Sequence, residues 1–250
     1  MTQPAYRLTA PIGATGTLGL IVLQADETIE QDFRRLIPAP DPALHISRIP
    51  SGADLNLDTI AAMEHDLPQA AALFPDGADF DVVGYACTSG TMLIGATRVS
   101  DLVQGVCRAR TVTDPLTAAR AALKALGVGK IALVSPYIKP VARPMREAFE
   151  TSGHPVTATV SFGEEVESRV ARIDPASIHA AALDASAAPG TEAVFLSCTN
   201  LRTLDIIDDL EAALGLPVIS SNQALAWAMM RAIGLTSPQA APGRLFQGRA

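Results

Sequence analysis

Two cysteines stand in the same local setting. Residues 82–91 read VVGYACTSGT and residues 194–201 read VFLSCTNL, so Cys87 and Cys198 each close an apolar run and precede a threonine. An apolar run bounded by polar turn residues predicts a buried strand, which puts each thiol at a strand's carboxyl end. Open parallel sheets bind ligands beyond those ends. Thr88, Ser89 and Gly90, and likewise Thr199 and Asn200, are expected to open helices whose N–H groups would hold a substrate carboxylate. The same dipole end would draw a thiol's pKa down from about 8.5 toward neutrality. Against this stands a plainer reading, in which each cysteine is a small buried hydrophobe. Recurrence of the motif weighs for chemistry. Cys107, in DLVQGVCRAR, has no such setting and reads as structural.

Two opposed thiols can invert a stereocentre beside a carboxylate. One takes the proton from one face as thiolate, and the other returns a proton to the opposite face. No cofactor is needed if donors hold the carboxylate and the enediolate charge. Alternatively, a thiolate adds to a conjugated double bond, the new single bond rotates, and the thiolate leaves. No metal is expected either, since the cysteines and the four histidines (His45, His65, His154, His179) lack ligand spacing.

The elements that must position the thiols follow from hydrophobic periodicity. LGLIVLQ (18–24), FDVVGYAC (80–87), KIALVSPY (130–137), EAVFLSC (192–198) and LPVISS (216–221) read as strands, with LHISRIP (44–50) and HPVTATVSF (154–162) as weaker ones. Between them, PLTAARAALKALG, LDIIDDLEAALG and QALAWAMMRAIG carry apolar stripes at helical spacing and stop at Gly127, Gly215 and Gly234. Such alternation predicts an α/β fold with parallel sheets. The thiols are 198 − 87 = 111 residues apart in a chain of 250. That spacing predicts two similar lobes, each contributing one thiol. The expected division is 1–115 and 116–222, with 223–250 returning to the first lobe. The tail TSPQAAPGRLFQGRA lacks periodicity and is expected to be partly mobile.

An apolar share of 48%, a charged share of 18% and a net charge of −7 suit a globular protein without a nucleic-acid partner. No apolar stretch reaches the ~20 residues that span a bilayer, and MTQPAYRLTAPIG lacks a secretory pattern. The expected setting is the cytoplasm, with reduced thiols, no membrane partner and a small carboxylate as ligand. A homo-oligomer stays open.

Nearly the whole chain resembles the aspartate/glutamate racemase superfamily, and within it the maleate isomerase and arylmalonate decarboxylase branch. The residues that carry the resemblance are GLIV (19–22), ACTSGT (86–91), TDPLTAA (113–119), ALVSPY (132–137), SCTNLR (197–202) and SSNQA (220–224). It implies two pseudo-symmetric lobes, each a parallel sheet flanked by helices, with the active site in the cleft between them. It also implies that Cys87 is the nucleophilic thiol, Cys198 the acid/base thiol, and Tyr137 a carboxylate ligand with Thr88, Ser89 and Thr199. Asn200, beside them, is a further binding candidate. Arylmalonate decarboxylases keep only the second cysteine, so two thiols favour an isomerase or racemase over a decarboxylase that uses Cys198 as proton donor. A non-catalytic ligand-binding or accessory protein on the same fold is the third reading.

Two departures from that pattern bear on the substrate. Maleate isomerases carry Pro-Ser-Ser-Asn-Thr after the first strand, whereas LQADET (23–28) places Asp26 at the asparagine. Ala142 stands where another asparagine is expected. An acid at position 26 would repel a second substrate carboxylate and attract a cation. IVLQADETIEQDF (21–33) also resembles ectoine-utilisation members, whose substrates carry an amidinium beside a carboxylate. Asp26 therefore reads either as facing that amidinium or as capping the next helix.

Other signals read as structural. GATGTLG (13–19) precedes a strand where a dinucleotide loop would follow one. FGEEVESRVARID (162–174) reads as a surface helix with Glu–Arg pairs, and DIIDDLE (205–211) as a solvated helix face. Ser220, Ser221 and Asn222 either line the cleft or cap a helix.

Overall fold

The structure, a computed structural model, describes residues 2–54, 56–235 and 241–248. Its strands are β1 (Thr17–Leu23), β2 (Ala43–Ile49), β3 (Phe80–Ala86), β4 (Ala109–Thr113), β5 (Ile131–Ser135), β6 (Val156–Ser161), β7 (Ala193–Leu196) and β8 (Val218–Ser220). They form two sheets in the orders β2-β1-β3-β4 and β6-β5-β7-β8. Every neighbouring pair runs parallel. The second sheet thus repeats the order of the first, giving the two-lobed α/β architecture with helices on the sheet faces. The inner strands β5 and β7 are buried throughout and β1 nearly so, because crossover helices cover both faces.

The helices are α1 (Ile29–Leu36), α2 (Leu57–Ala71), α3 (Thr88–Ile94), α4 (Ala96–Gln104), α5 (Pro115–Ala125) and α6 (Lys139–Thr151). They continue with α7 (Glu167–Val170), α8 (Pro175–Ser186), α9 (Ile207–Leu214), α10 (Ser221–Ala232) and α11 (Arg244–Gln247). Helix α10 packs on β3 and β4 of the first sheet and against α1 and α5. No helix of the described residues is long and apolar enough to cross a membrane.

The structure adds to the sequence reading at three places. Strand β4, ARTVT, lacks an apolar run because it is an edge strand in which none of the residues is fully buried. Part of the tail is ordered: in α11, Leu245 and Phe246 are buried, while the N–H groups of Gly243 and Arg244 donate to Asp208 and Glu211, each at 2.8 Å. Residues 236–240 and 249–250 of that tail lie outside the described residues. Glu211 is consequently buried, so DIIDDLE is not wholly a solvated face.

Close approach of α10 to β3 needs a glycine. A Cβ on Gly84 would stand 2.7 Å from Met229 Sδ. Gly84→Ala is expected to cost about 1–3 kcal/mol in urea unfolding. Met229→Ala in the same chain should recover part of that loss, and simple additivity of the two would exclude this contact as the cause.

Candidate active site

In each sheet the strand order reverses at one pair, β1/β3 and β5/β7, and parallel sheets hold ligands beyond the carboxyl ends of such a pair. Asp26 follows β1, Cys87 follows β3, Tyr137 follows β5 and Cys198 follows β7. Cys107 precedes β4, toward the other end of the sheet.

Cys87 is the N-cap of α3. Its Sγ accepts the Gly90 N–H at 3.1 Å and lies 3.6 Å from Ser89 Oγ. Position 90 must be glycine here, since a Cβ would come within 2.9 Å of that sulfur and 2.5 Å of the Tyr85 hydroxyl. Cys198 differs. Thr199 and Asn200 form a turn and helical chain resumes only at Leu204, so the helix expected directly after the second thiol is absent. Cys198 also has φ 140°, a strained conformation for an L residue that costs on the order of 1–3 kcal/mol.

Hydrogen bonds between the thiol turns hold that strain. The Cys198 N–H donates to Ser221 Oγ at 3.1 Å, and Ser221 Oγ lies 2.9 Å from Thr88 Oγ1. The Thr199 hydroxyl donates to the Ala86 carbonyl at 3.3 Å. Ser220 caps α10 by accepting the Gln223 N–H at 3.3 Å. Asn222 Nδ2 donates to Thr199 O at 2.7 Å and to Asp32 Oδ2 at 2.8 Å. Burial lifts the Asp32 carboxyl to about 7 despite that amide.

Burial raises both thiols as well. Cys87 is pushed up to about 11 against the lowering pull of Ser89 and Gly90, and Cys198 stands well above its ordinary value. The lowering expected from a helix dipole is therefore overturned, because loss of water outweighs it. Charge on Cys87 is felt by Cys198, and charge on either thiol is felt by the buried Tyr137 phenol. The two thiols and the phenol are thus electrostatically coupled.

Asp26 is 2% exposed, and its Oδ1 accepts the N–H groups of Thr28 at 2.8 Å and Ile29 at 2.9 Å. It does cap α1. Its Oδ2 is buried without a hydrogen-bond partner. Asn200 is used up inside the protein: Oδ1 accepts the Glu27 N–H at 2.9 Å, and Nδ2 donates to Ala25 O, Glu167 O and Glu167 Oε1 at 3.2–3.4 Å. As a substrate ligand its side chain is corrected to a clamp between lobes, and the Thr88 hydroxyl is similarly engaged by Ser221. Among the described residues, no acceptor pairs with the backbone N–H of Thr88, Ser89 or Thr199, which leaves those donors for an anion.

Glu167 is the residue that sequence reasoning missed. Of the segment expected as a surface helix only Glu167–Val170 is α-helical, and Glu167 is 3% exposed. Its N–H donates to Ala53 O at 3.0 Å and Val166 bridges to Asp54, which draws it across to the first lobe. Burial lifts its carboxyl to about 7, and its charge raises Cys87, Cys198 and Tyr137. One signal was available: Glu167 stands three and four residues before Val170 and Ala171, on the apolar side of the segment.

Two measurements check this electrostatic picture. In a Cys107→Ser background, the pH midpoint for iodoacetamide alkylation of Cys87 should fall in Glu167→Gln and rise in Ser89→Ala; opposite shifts would sink it. The second concerns stability. A folded-state pKa raised from 4.5 to about 7 means that the folded chain holds this proton more tightly than the unfolded chain. Glu167's contribution is present below about 4.5 and is lost as pH rises through about 7. Urea unfolding should show Glu167→Gln gaining on the parent protein by up to about 3 kcal/mol across that window.

The family model for arylmalonate decarboxylase matches residues 55–246. Arylmalonate decarboxylase of Bordetella bronchiseptica is 32% identical over 93% of this chain and 97% of its own length. A maleate isomerase of Pseudomonas putida is 28% identical over 92% of this chain and 97% of its own. The solved structure of maleate isomerase Iso from Pseudomonas putida S16 superposes with a TM-score of 0.82 at 25% identity, covering 93% of this chain and 98% of that one.

Proposed function

Because this chain belongs to the arylmalonate decarboxylase family, we propose that it is a cofactor-independent isomerase or racemase using two thiols on a small carboxylate. One observation supports the reading: Cys87 and Cys198 leave equivalent strands of two lobes, and Ser221 joins their turns, accepting the Cys198 N–H at 3.1 Å and lying 2.9 Å from Thr88 Oγ1. The free N–H groups of Thr88, Ser89 and Thr199, with the Tyr137 phenol, hold the carboxylate and its developing enediolate charge. Cys87 serves as the thiolate, supported by the Gly90 N–H at 3.1 Å and the Ser89 hydroxyl at 3.6 Å from its sulfur. In racemisation the Cys87 thiolate takes the α-proton, leaving the electron pair in the enediolate, and the Cys198 S–H protonates the opposite face. In double-bond isomerisation a Cys87 S–C bond forms, the central bond rotates, and the S–C bond breaks.

The maleate isomerases among the relatives support the isomerase reading. The 32% identical arylmalonate decarboxylase supports a second one, in which carbon dioxide leaves first and Cys198 protonates the enediolate. The proposed setting is ectoine or hydroxyectoine catabolism, supported by the likeness of residues 21–33 to ectoine-utilisation members.

Separate Cys87→Ala and Cys198→Ala variants test the assignment. Both should lose turnover at least about a hundredfold, followed by proton NMR of candidate acids in deuterium oxide. Survival after Cys87→Ala alone would select decarboxylation, and survival after both would remove thiol catalysis.

A further inference from the structure

A buried phenol that the proposed chemistry leaves unused borders the Cys87 sulfur. Tyr85 lies in β3, and the Cys87 N–H turns back to its carbonyl at 2.9 Å, closing a three-residue turn. Both side chains are buried. Their polar atoms share the gap that Gly90 leaves, since a Cβ there would stand 2.5 Å from the Tyr85 hydroxyl and 2.9 Å from Cys87 Sγ. Hydroxyl and sulfur therefore face each other across one small opening. The phenol lowers Cys87 as a hydrogen-bonding neighbour, and Cys87 in turn raises the phenol.

Tyr85 nevertheless spends its proton elsewhere. Among the described residues its O–H makes one hydrogen bond, donated to Met63 Sδ of α2 at 3.6 Å. A thioether is a weak acceptor, and a buried tyrosine hydroxyl normally has a stronger one. The phenol thus sits between two sulfurs that differ in kind. Met63 Sδ stays neutral, whereas Cys87 Sγ gains a full negative charge on ionising. An O–H offered both acceptors goes to the anion, because a charge-assisted hydrogen bond is roughly twice as strong as a neutral one. The other ionisable groups around the pair supply no cation. Glu167 bears on Cys87, Asp114 at the head of α5 bears on Tyr85, and Cys198 and Tyr137 feel Cys87. Burial holds the phenol well above its ordinary range, so it keeps the proton that it donates.

We propose that Tyr85 is a positioning residue for Cys87: its hydroxyl rests on Met63 Sδ while the thiol is neutral and turns to Cys87 Sγ when the thiolate forms. This rests on the Cys87 thiolate of the proposed mechanism and adds a donor to it, beside the Gly90 N–H and the Ser89 hydroxyl. Release of the sulfur from a proton or from a carbon–sulfur bond draws the phenol across, and return of either sends it back. Decarboxylation through Cys198 alone makes no use of it.

The test reads the Cys87 thiolate without substrate. In the full chain carrying Cys107→Ser, iodoacetamide alkylation of Cys87 is followed by peptide mass spectrometry at one pH below the thiol's midpoint. Ultraviolet thiolate absorbance, taken as the difference from a Cys87→Ala chain, gives a second reading that reagent access does not affect. Tyr85→Phe should lower the thiolate fraction about tenfold, the scale of one hydrogen bond to a charged group. Alkylation should slow by at least about threefold, since a more basic thiolate is also more nucleophilic. Met63→Leu removes the competing acceptor and should raise both readings. In a Tyr85→Phe background the same substitution should do nothing, because no O–H remains to redirect. A merely steric role for Tyr85 would give Met63→Leu the same effect in both backgrounds. That result, an undiminished thiolate fraction in Tyr85→Phe, or no rise in Met63→Leu would overturn the proposal. Should Tyr85→Phe fail to fold, the Met63→Leu readings decide alone. Thiol catalysis is judged by turnover in Cys87→Ala, and the thiolate readings need no turnover, so the two failures are distinguishable.

Discussion

Removal of ionisable groups from water governs this molecule's centre. Asp26, Glu167, Cys87, Cys198 and Tyr137 are all buried, and burial is the largest influence on each, raising every one. Charge on one opposes charge on its neighbours, so the groups hold their protons as a set. Ionisation is favoured only where a donor is already aimed. Gly90 and Ser89 supply that to Cys87, and Thr28 and Ile29 supply it to Asp26.

Water is kept out by bonds that join the two lobes. Ser221 links the Cys198 backbone to Thr88, Thr199 reaches the end of β3, and Asn200 fastens the β1–α1 turn to Glu167. These contacts also support the unusual backbone of Cys198. The repeated strand order makes the two thiols topological equivalents, but the chain after each one differs. Helix α3 follows the first, and a bare turn follows the second. That asymmetry changes where each thiol's N–H support comes from: Gly90 in the first turn of α3 for Cys87, and the Asn200 backbone in the turn for Cys198.

Legibility followed periodicity. The inner strands announced themselves as apolar runs because both faces are covered, and α5, α9 and α10 did so through apolar stripes ended by glycine or a cap. Strand β4 stayed hidden because an edge strand has no need of a continuous apolar run. Cys87 and Cys198 were legible because each thiol closes such a run in a matching context. Glu167 was not, since its nearest charged neighbours made FGEEVESRVARID look like a solvated helix. Only the bridge from Val166 to Asp54 turns that carboxyl inward.

By itself the sequence determined which residues lie at strand ends, since hydrophobic periodicity is a local property of the chain. It therefore placed both thiols, Asp26 and Tyr137 beyond carboxyl ends of parallel strands, and it fixed the α/β class. Tertiary structure alone decided their protonation and company. Desolvation depends on what packs around a group, so the thiol expected to be acidic holds its proton more tightly. The same packing turned Asn200 from a ligand candidate into a clamp and brought Glu167 from a distant segment to the β1–α1 turn that Asn200 fastens.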